Sequence, residues 1–307
     1  MASIRDIAIA VLPDSAVRFV RKQLRQRHER RFASQAVTTM AWGDFEIEVP
    51  KNHPLLGSVG HGPIRDQCIG NTAACIVEKY PDASFLDIGA NIGDTAALLA
   101  SHTGNRLILV EASDYFFEIL QRNARRLPNE TVLIQALVGD GSDVTGDFLH
   151  WGGTSSFHED ASGLKRARTL RLAEVADAKT GFVKSDTDGF DFTILRAGID
   201  WLAAAKPAIL FENQIRTRED LTQADALFAD LSRIGYTGFV VWDDPGFHML
   251  STEDIRVLKG LDHYLFEVWQ RPMPQRICNY DVLCLHRDDE DVFERMRDHG
   301  GSRGARR

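Results

Sequence analysis

Lys184, Asp186 and Asp188 alternate where an apolar run, Gly181-Phe182-Val183, gives way to charge. Alternate residues of an extended segment project from one face, so a lysine and two carboxylates are expected to converge there. A second apolar run, Ala208-Ile209-Leu210-Phe211, ends in Glu212 and Asn213. Carboxylates at successive strand ends suit general-base work on a hydroxyl. Asp186 is the first candidate base and Glu212 the second. Lys184 either holds the carboxylates in register, stabilises an oxygen anion, or forms a plain structural salt bridge. Asp186 with Glu212 and Asn213 also offers the oxygen ligands that a hard cation such as Mg²⁺ takes.

The stretch Phe85-Leu86-Asp87-Ile88-Gly89-Ala90-Asn91-Ile92-Gly93-Asp94-Thr95 reads as a strand, a glycine turn and a helix start. Such an element binds nucleotides at the carboxyl end of an open α/β sheet. The dinucleotide pattern G-x-G-x-x-G would need glycines where Asn91 and Asp94 stand, which disfavours a nicotinamide oxidoreductase. An acid at the strand end (Asp87), glycines at 89 and 93, and Asp94 suit a ligand with positive charge and no phosphate. S-adenosylmethionine is one, with Asp87, Gly89, Ala90, Asn91, Gly93 and Asp94 forming its seat. About twenty residues on, Arg106 to Glu111 reads as the next strand. Glu111 at its end is placed to accept from a ribose diol. Asp140, after a third strand at Thr131 to Val138, either accepts from the adenine amine or is a turn aspartate. Trp151 to His158 reads as a small-residue loop in which Ser155, Ser156 and His158, with Asp188, could meet a polyhydroxyl acceptor.

The whole chain bounds what these residues can be asked to do. At 307 residues, 44% of them hydrophobic, it is long enough for one large α/β domain with a lead-in and a tail. The net charge of −8 argues against nucleic acid as a partner. No apolar run reaches the ~18 residues that would span a bilayer, and Arg5, Asp6 and Pro13 break up the first apolar segment, which is therefore not a signal peptide. Cys68, Cys75, Cys278 and Cys284 lack zinc spacing and fit a reduced, cytoplasmic protein.

Four divisions follow. Residues 1–37 form a basic helical segment whose helix runs from Ser15 to Gln35. Its arginines suit peripheral contact with an anionic membrane or an acidic protein, or simple solvation. Residues 38–80 supply a lead-in strand (Phe45 to Pro50) and a helix (Asn71 to Tyr80). Residues 81–287 form the ligand-binding domain, with later helices at Asp114 to Arg126 and Asp220 to Ile234 and a short one at Thr252 to Leu258. Residues 288–307 read as a polar, disordered tail.

The chain resembles the FkbM family of S-adenosylmethionine-dependent methyltransferases. The resemblance rests on Asp87 to Asp94, on Glu111, on Thr154-Ser155-Ser156, on Val183 to Asp191 and on Pro207 to Glu212. Where the family shows K-I-D-V-E-G-x-E, this chain has Ser185 for the isoleucine and Asp188 and Asp191 for the two glutamates. The resemblance implies a seven-stranded, mostly parallel Rossmann-like sheet with helices on both faces, of the class I methyltransferase type. It also implies methyl transfer to a hydroxyl oxygen, often of a sugar in a glycan, glycolipid or antibiotic. The alternative is a degenerate nucleotide- or glycan-binding partner in a glycan-assembly complex.

Overall fold

The computed structural model describes residues 36–57, 62–151, 154–159, 165–271, 277 and 279–299. The basic helix expected at Ser15 to Gln35 and the segment Gly300 to Arg307 lie outside the described residues.

Alternating Phe45-Glu46-Ile47-Glu48-Val49 forms a half-buried strand, as its period of two requires. It pairs with a strand that the sequence did not announce. Together β1 (Val37–Trp42) and β2 (Phe45–Pro50) make a separate antiparallel hairpin. A single 3-10 turn, Pro54–Gly57, follows, then α1 (Gly62–Lys79), which starts well before the expected Asn71. The central strand β3 (Ser84–Ile88) is buried at every position, as a parallel strand covered on both faces must be. The units α2 (Asp94–His102), β4 (Leu107–Val110), α3 (Asp114–Ala124) and β5 (Thr131–Ile134) come next. Three strands then form a small sheet of their own: β6 (Asp143–Trp151), β7 (Thr154–Glu159) and β8 (Lys165–Arg168). After the short α4 (Leu172–Val175) come β9 (Thr180–Ser185), α5 (Asp191–Ala197), α6 (Ile199–Ala205), β10 (Ala208–Gln214) and α7 (Arg218–Arg233). The chain continues through β11 (Tyr236–Asp243), β12 (His248–Thr252), α8 (Ile255–Trp269), β13 (Asn279–His286) and α9 (Glu290–His299).

The main sheet has eight strands in the order β12-β11-β13-β10-β9-β3-β4-β5. Pairing is parallel from β10 through β9, β3 and β4 to β5. Because β13 runs antiparallel to both β10 and β11, β11 shares the direction of the parallel set. This is the mostly parallel Rossmann-like sheet with helices on both faces that was expected, with one strand more than the expected seven. The additional strand is β12, antiparallel to β11 at the edge. Thr252, expected to open a helix, instead ends β12. Asp254 caps α8, its carboxylate accepting from Arg256 N at 2.9 Å.

Alternation along each strand sends neighbours into different cores. Phe85, Leu107 and Phe182 pack with α1, α2, α3 and α9, whereas Leu86, Val183 and Ile209 pack with α5, α7 and α8. No described helix is long and apolar enough to cross a membrane.

The tail expected from residue 288 is, up to His299, an ordered helix. Val292, Phe293 and Met296 of α9 recur at helical spacing and are buried against the sheet. The charged residues of both signs around them make the segment look polar, but they mark only its outer face. Gly238 on β11 leaves the space: a Cβ there would lie 2.8 Å from the Phe293 ring. Phe293→Ala is expected to cost ~3 kcal/mol of stability, read from urea unfolding.

Candidate active site

Two turns at the carboxyl ends of β3 and β9 meet, and their contact decides which residues can stand at the site. Gly89 has φ +79°, and a Cβ there would fall 1.9 Å from the carbonyl oxygen of Asp186. Only glycine allows both that backbone conformation and that approach. The ladder holds the turns together, Asp186 N donating to Ile88 O at 3.0 Å and Gly89 N to Val110 O at 2.9 Å. Gly93 (φ +87°) starts α2, and Asn91 between them is also left-handed at φ +49°.

These turns floor a cavity of about 340 Å³. Gly89, Asn91 and Asp94 line it from the first turn, Glu111 and Ala112 from the end of β4, and Lys184, Asp186, Thr187 and Asp188 from the end of β9. The Glu111 carboxylate accepts from Asn91 N at 2.9 Å and Ser113 N at 2.7 Å. Burial pushes its pKa up to about 7, against the pull of those backbone donors.

Asp87, expected to face the ligand, is fully buried beneath the cavity. Its cross-strand partner in the β3·β9 register is Lys184. The lysine Nζ lies 3.5 Å from Asp87 Oδ1 and 3.3 Å from Asp186 Oδ2. Burial works to discharge Lys184, but Asp186 and Asp87 outweigh it and hold the ammonium charged. Burial likewise pushes Asp87 up to about 6, with Lys184 opposing. The lysine is thus a bridge between a buried aspartate and one that reaches the cavity, its Asp186 partner being 44% exposed at the side chain.

Asp188 does not share a strand face with Lys184, because β9 ends at Ser185. Asp188 sits at φ +54° in the following turn and still lines the cavity. Asp191 fixes that turn from below. Ser185 Oγ donates to it at 2.6 Å and Thr187 N at 3.3 Å, and burial raises its pKa to about 6. No pattern in the residues around Asp191 marks this carboxylate as turned inward.

Glu212 lines a small recess of about 20 Å³ with Lys184, Asp186, Asp281 and Gly246. Burial first, then the charges of Asp186 and Asp281, push its pKa up to about 9. That direction favours the neutral form and makes Glu212 a weaker base than Asp186. Asn213, one residue on, points through the sheet to the other side, where its Nδ2 donates to buried Asp262 at 2.6 Å. The Mg²⁺ set of Asp186, Glu212 and Asn213 is therefore not assembled. Among the described residues no group of three or more His, Cys, Asp or Glu could hold a metal ion. Cys75 and Cys284 are buried free thiols, Cys68 is buried, and Cys278 lies outside the described residues.

Further expectations change. Asp140 is exposed and accepts from Ser142 N at 2.8 Å, which makes it a turn aspartate; hydrogen bonds from the side chain and then the backbone of Ser142 hold its pKa low. Ala90 and Gly93 shape the turn without lining the cavity, Ala90 N donating to Val110 O at 2.9 Å. The expected loop at Trp151 to His158 is largely the hairpin β6–β7. Ser155, Ser156 and His158 fall on β7, with side chains outside the description. Of the side chains described on this hairpin, Phe148 and Phe157 line the cavity, stacked edge to face at 5.3 Å. With Leu137 and Phe190 they form an apolar wall. Their pairing across a hairpin was not legible, because Gly152-Gly153 and the serines masked the alternation. His53 and Asp244 also reach the cavity, from segments with no motif to mark them.

Residues 87–237 match the family model of the methyltransferase FkbM domain. The chain carries a methyltransferase domain of the FkbM family. That match begins at Asp87 and takes in Glu111, the β9 turn and Glu212, so the FkbM domain contains nearly all of the cavity floor; His53 and Asp244 lie outside it. No curated protein matches the chain. Among solved structures, one similar chain is the methyltransferase FkbM from Methylobacillus flagellatus, 16% identical with TM-score 0.34. That alignment covers 50% of this chain and 36% of the other, so this chain spans about a third of that relative's length. The precorrin-6y C5,15-methyltransferase from Geobacter metallireducens is 13% identical at TM-score 0.36, covering 70% and 87%. A SAM-dependent methyltransferase from Geobacter sulfurreducens in complex with S-adenosyl-L-homocysteine is 14% identical at 0.37, covering 71% and 89%.

Lys184→Met, which strands Asp87 without its partner, is expected to cost ~3 kcal/mol in urea unfolding. Adding Asp87→Asn should recover part of that loss. Glu212 supplies a pH test. Its folded pKa of about 9 lies above the ordinary 4.5, so the folded state holds more protons between those values and stability falls as pH rises through that window. The melting temperature should therefore decline from pH 6 to pH 9, and less steeply in Glu212→Gln.

Proposed function

We propose that the chain transfers the methyl group of S-adenosylmethionine to a hydroxyl oxygen of a sugar in a glycan, glycolipid or related natural product. The observation that carries this reading is the position of Asp186. It lines both the large cavity and the recess, and its carboxylate is held at 3.3 Å by the Lys184 ammonium.

The cavity fits the methyl donor. Gly89 leaves room where any side chain would collide with Asp186, and Asp94, Glu111, Asp186 and Asp188 line it with acid, while the cation Lys184 is engaged by Asp87 and Asp186. Glu111 and Asn91 would hold the ribose, the acids would favour the cationic end, and the wall of Leu137, Phe148, Phe157 and Phe190 would cover the base. When bound, the donor supplies an electrophilic methyl group opposite the acceptor oxygen.

The remaining chemistry falls to the chain itself. A sugar hydroxyl is a weak nucleophile, and Asp186 is the carboxylate placed to take its proton as the methyl moves. Lys184 fixes the orientation of that carboxylate, and Asp87 anchors the lysine. Glu212, pushed toward its neutral form and accepting from Asn279 Nδ2, is a neighbour of the base rather than the first choice for that role. The β6–β7 wall keeps water from the donor, so much of the acceleration comes from alignment.

Calorimetric titration with S-adenosylmethionine is expected to show binding that Glu111→Ala weakens at least tenfold while the fold persists. Asp186→Asn should bind the donor within a few-fold of wild type yet lose about 10²–10⁴-fold in turnover. Folded wild type that fails to bind the donor would overturn the reading. Equal turnover in Asp186→Asn would remove Asp186 from the role of base.

A further inference from the structure

The recess beside Asp186 is too small to hold a sugar. At about 20 Å³ it admits a hydroxyl group or one water. An acceptor whose hydroxyl entered it would therefore keep its ring outside, against whatever forms the rim. The turn between β11 and β12 reaches both spaces: Gly246 lines the recess, and Asp244 lines the large cavity. The turn is held firmly. Asp243 Oδ1 accepts from Gly246 N at 3.1 Å and Phe247 N at 2.7 Å, while Asp243 N donates to Phe247 O at 2.9 Å. Trp242 and His248, at the strand ends, stack edge to face at 6.5 Å. On this turn stands Phe247, 54% exposed and the most exposed large apolar side chain among the described residues.

A single exposed aromatic is ordinary on a protein surface. Its position here is not, since the residue before it lines the recess that also holds the candidate base. A fixed turn presents the ring with little ordering cost on binding, and the apolar C–H face of a pyranose is a fitting surface to lie on an aromatic ring. We propose that Phe247 is the stacking platform for the acceptor's sugar ring and a determinant of acceptor specificity, the turn from Asp243 to Phe247 forming the lip of the acceptor site. This rests on the sugar reading above and adds where the ring lies.

The test is saturation-transfer NMR on the full chain saturated with S-adenosyl-L-homocysteine, with the methyl glycosides of glucose, galactose, mannose and rhamnose as probes. Wild type and Phe247→Tyr should transfer saturation to the ring protons of at least one glycoside, and Phe247→Ala should bind that glycoside about tenfold more weakly. Affinity for S-adenosyl-L-homocysteine should be the same in all three, because Phe247 does not line the donor cavity. A glycoside that binds wild type and Phe247→Ala equally overturns the platform and leaves the sugar reading standing. A wild-type complex that holds S-adenosyl-L-homocysteine but gives no transfer to any of the four overturns the platform together with the sugar reading.

Discussion

A lysine buried between two aspartates is the constraint on which the site depends. Lys184 is nine-tenths buried, and an ammonium there is tolerable only if its charge is met at close range. Asp87 meets it from the adjacent strand and Asp186 from the turn beyond. Because Asp87 and Lys184 are direct partners across β3 and β9, the ion pair also registers the two strands whose turns make the cavity floor. The charge that keeps the sheet in step is thus the one that aims the candidate base.

That arrangement explains why the acids of this chain, alike in the sequence, behave differently. Asp87 and Asp191 are swallowed by the core and act through the groups they hold. Glu111 is turned in but remains at the cavity wall on backbone donors. Glu212 is pushed toward its neutral form by burial and by the carboxylates of Asp186 and Asp281 in the same recess. Asp140 and Asp254 merely complete a turn and a cap. Position relative to a single buried cation sorts them.

Much of this was legible in the sequence, and the rest has identifiable physical reasons for being hidden. The apolar runs ending in Asp87, Glu111, Asp186 and Glu212 placed the parallel strands, since burial on both faces demands uninterrupted apolar sequence. The Gly89 turn was readable because no other residue fits against Asp186. What a one-dimensional pattern could not give was which way a carboxylate points once its strand has ended: Asp188 left the face it was assigned to because β9 stops at Ser185. Nor could it give the cavity wall, because Phe148 and Phe157 meet only after a hairpin forms. The order of α9 was hidden for a related reason, its apolar stripe being three residues wide among charged residues of both signs.

The strand order carries a consequence for how the protein comes into being. β13 lies between β10 and β11, although it is made after both. Until Asn279 to His286 has left the ribosome, β10 and β11 have no neighbour to join them, and the long-range pairings that close the sheet cannot form. The same strand brings Asp281 to the recess. A nascent chain therefore waits with its half-sheets apart and exposed, a state in which chains of this size are prone to aggregate. The recess that Asp281 lines therefore cannot be completed until β13 has been made, long after the glycine turn at Gly89 has been synthesised.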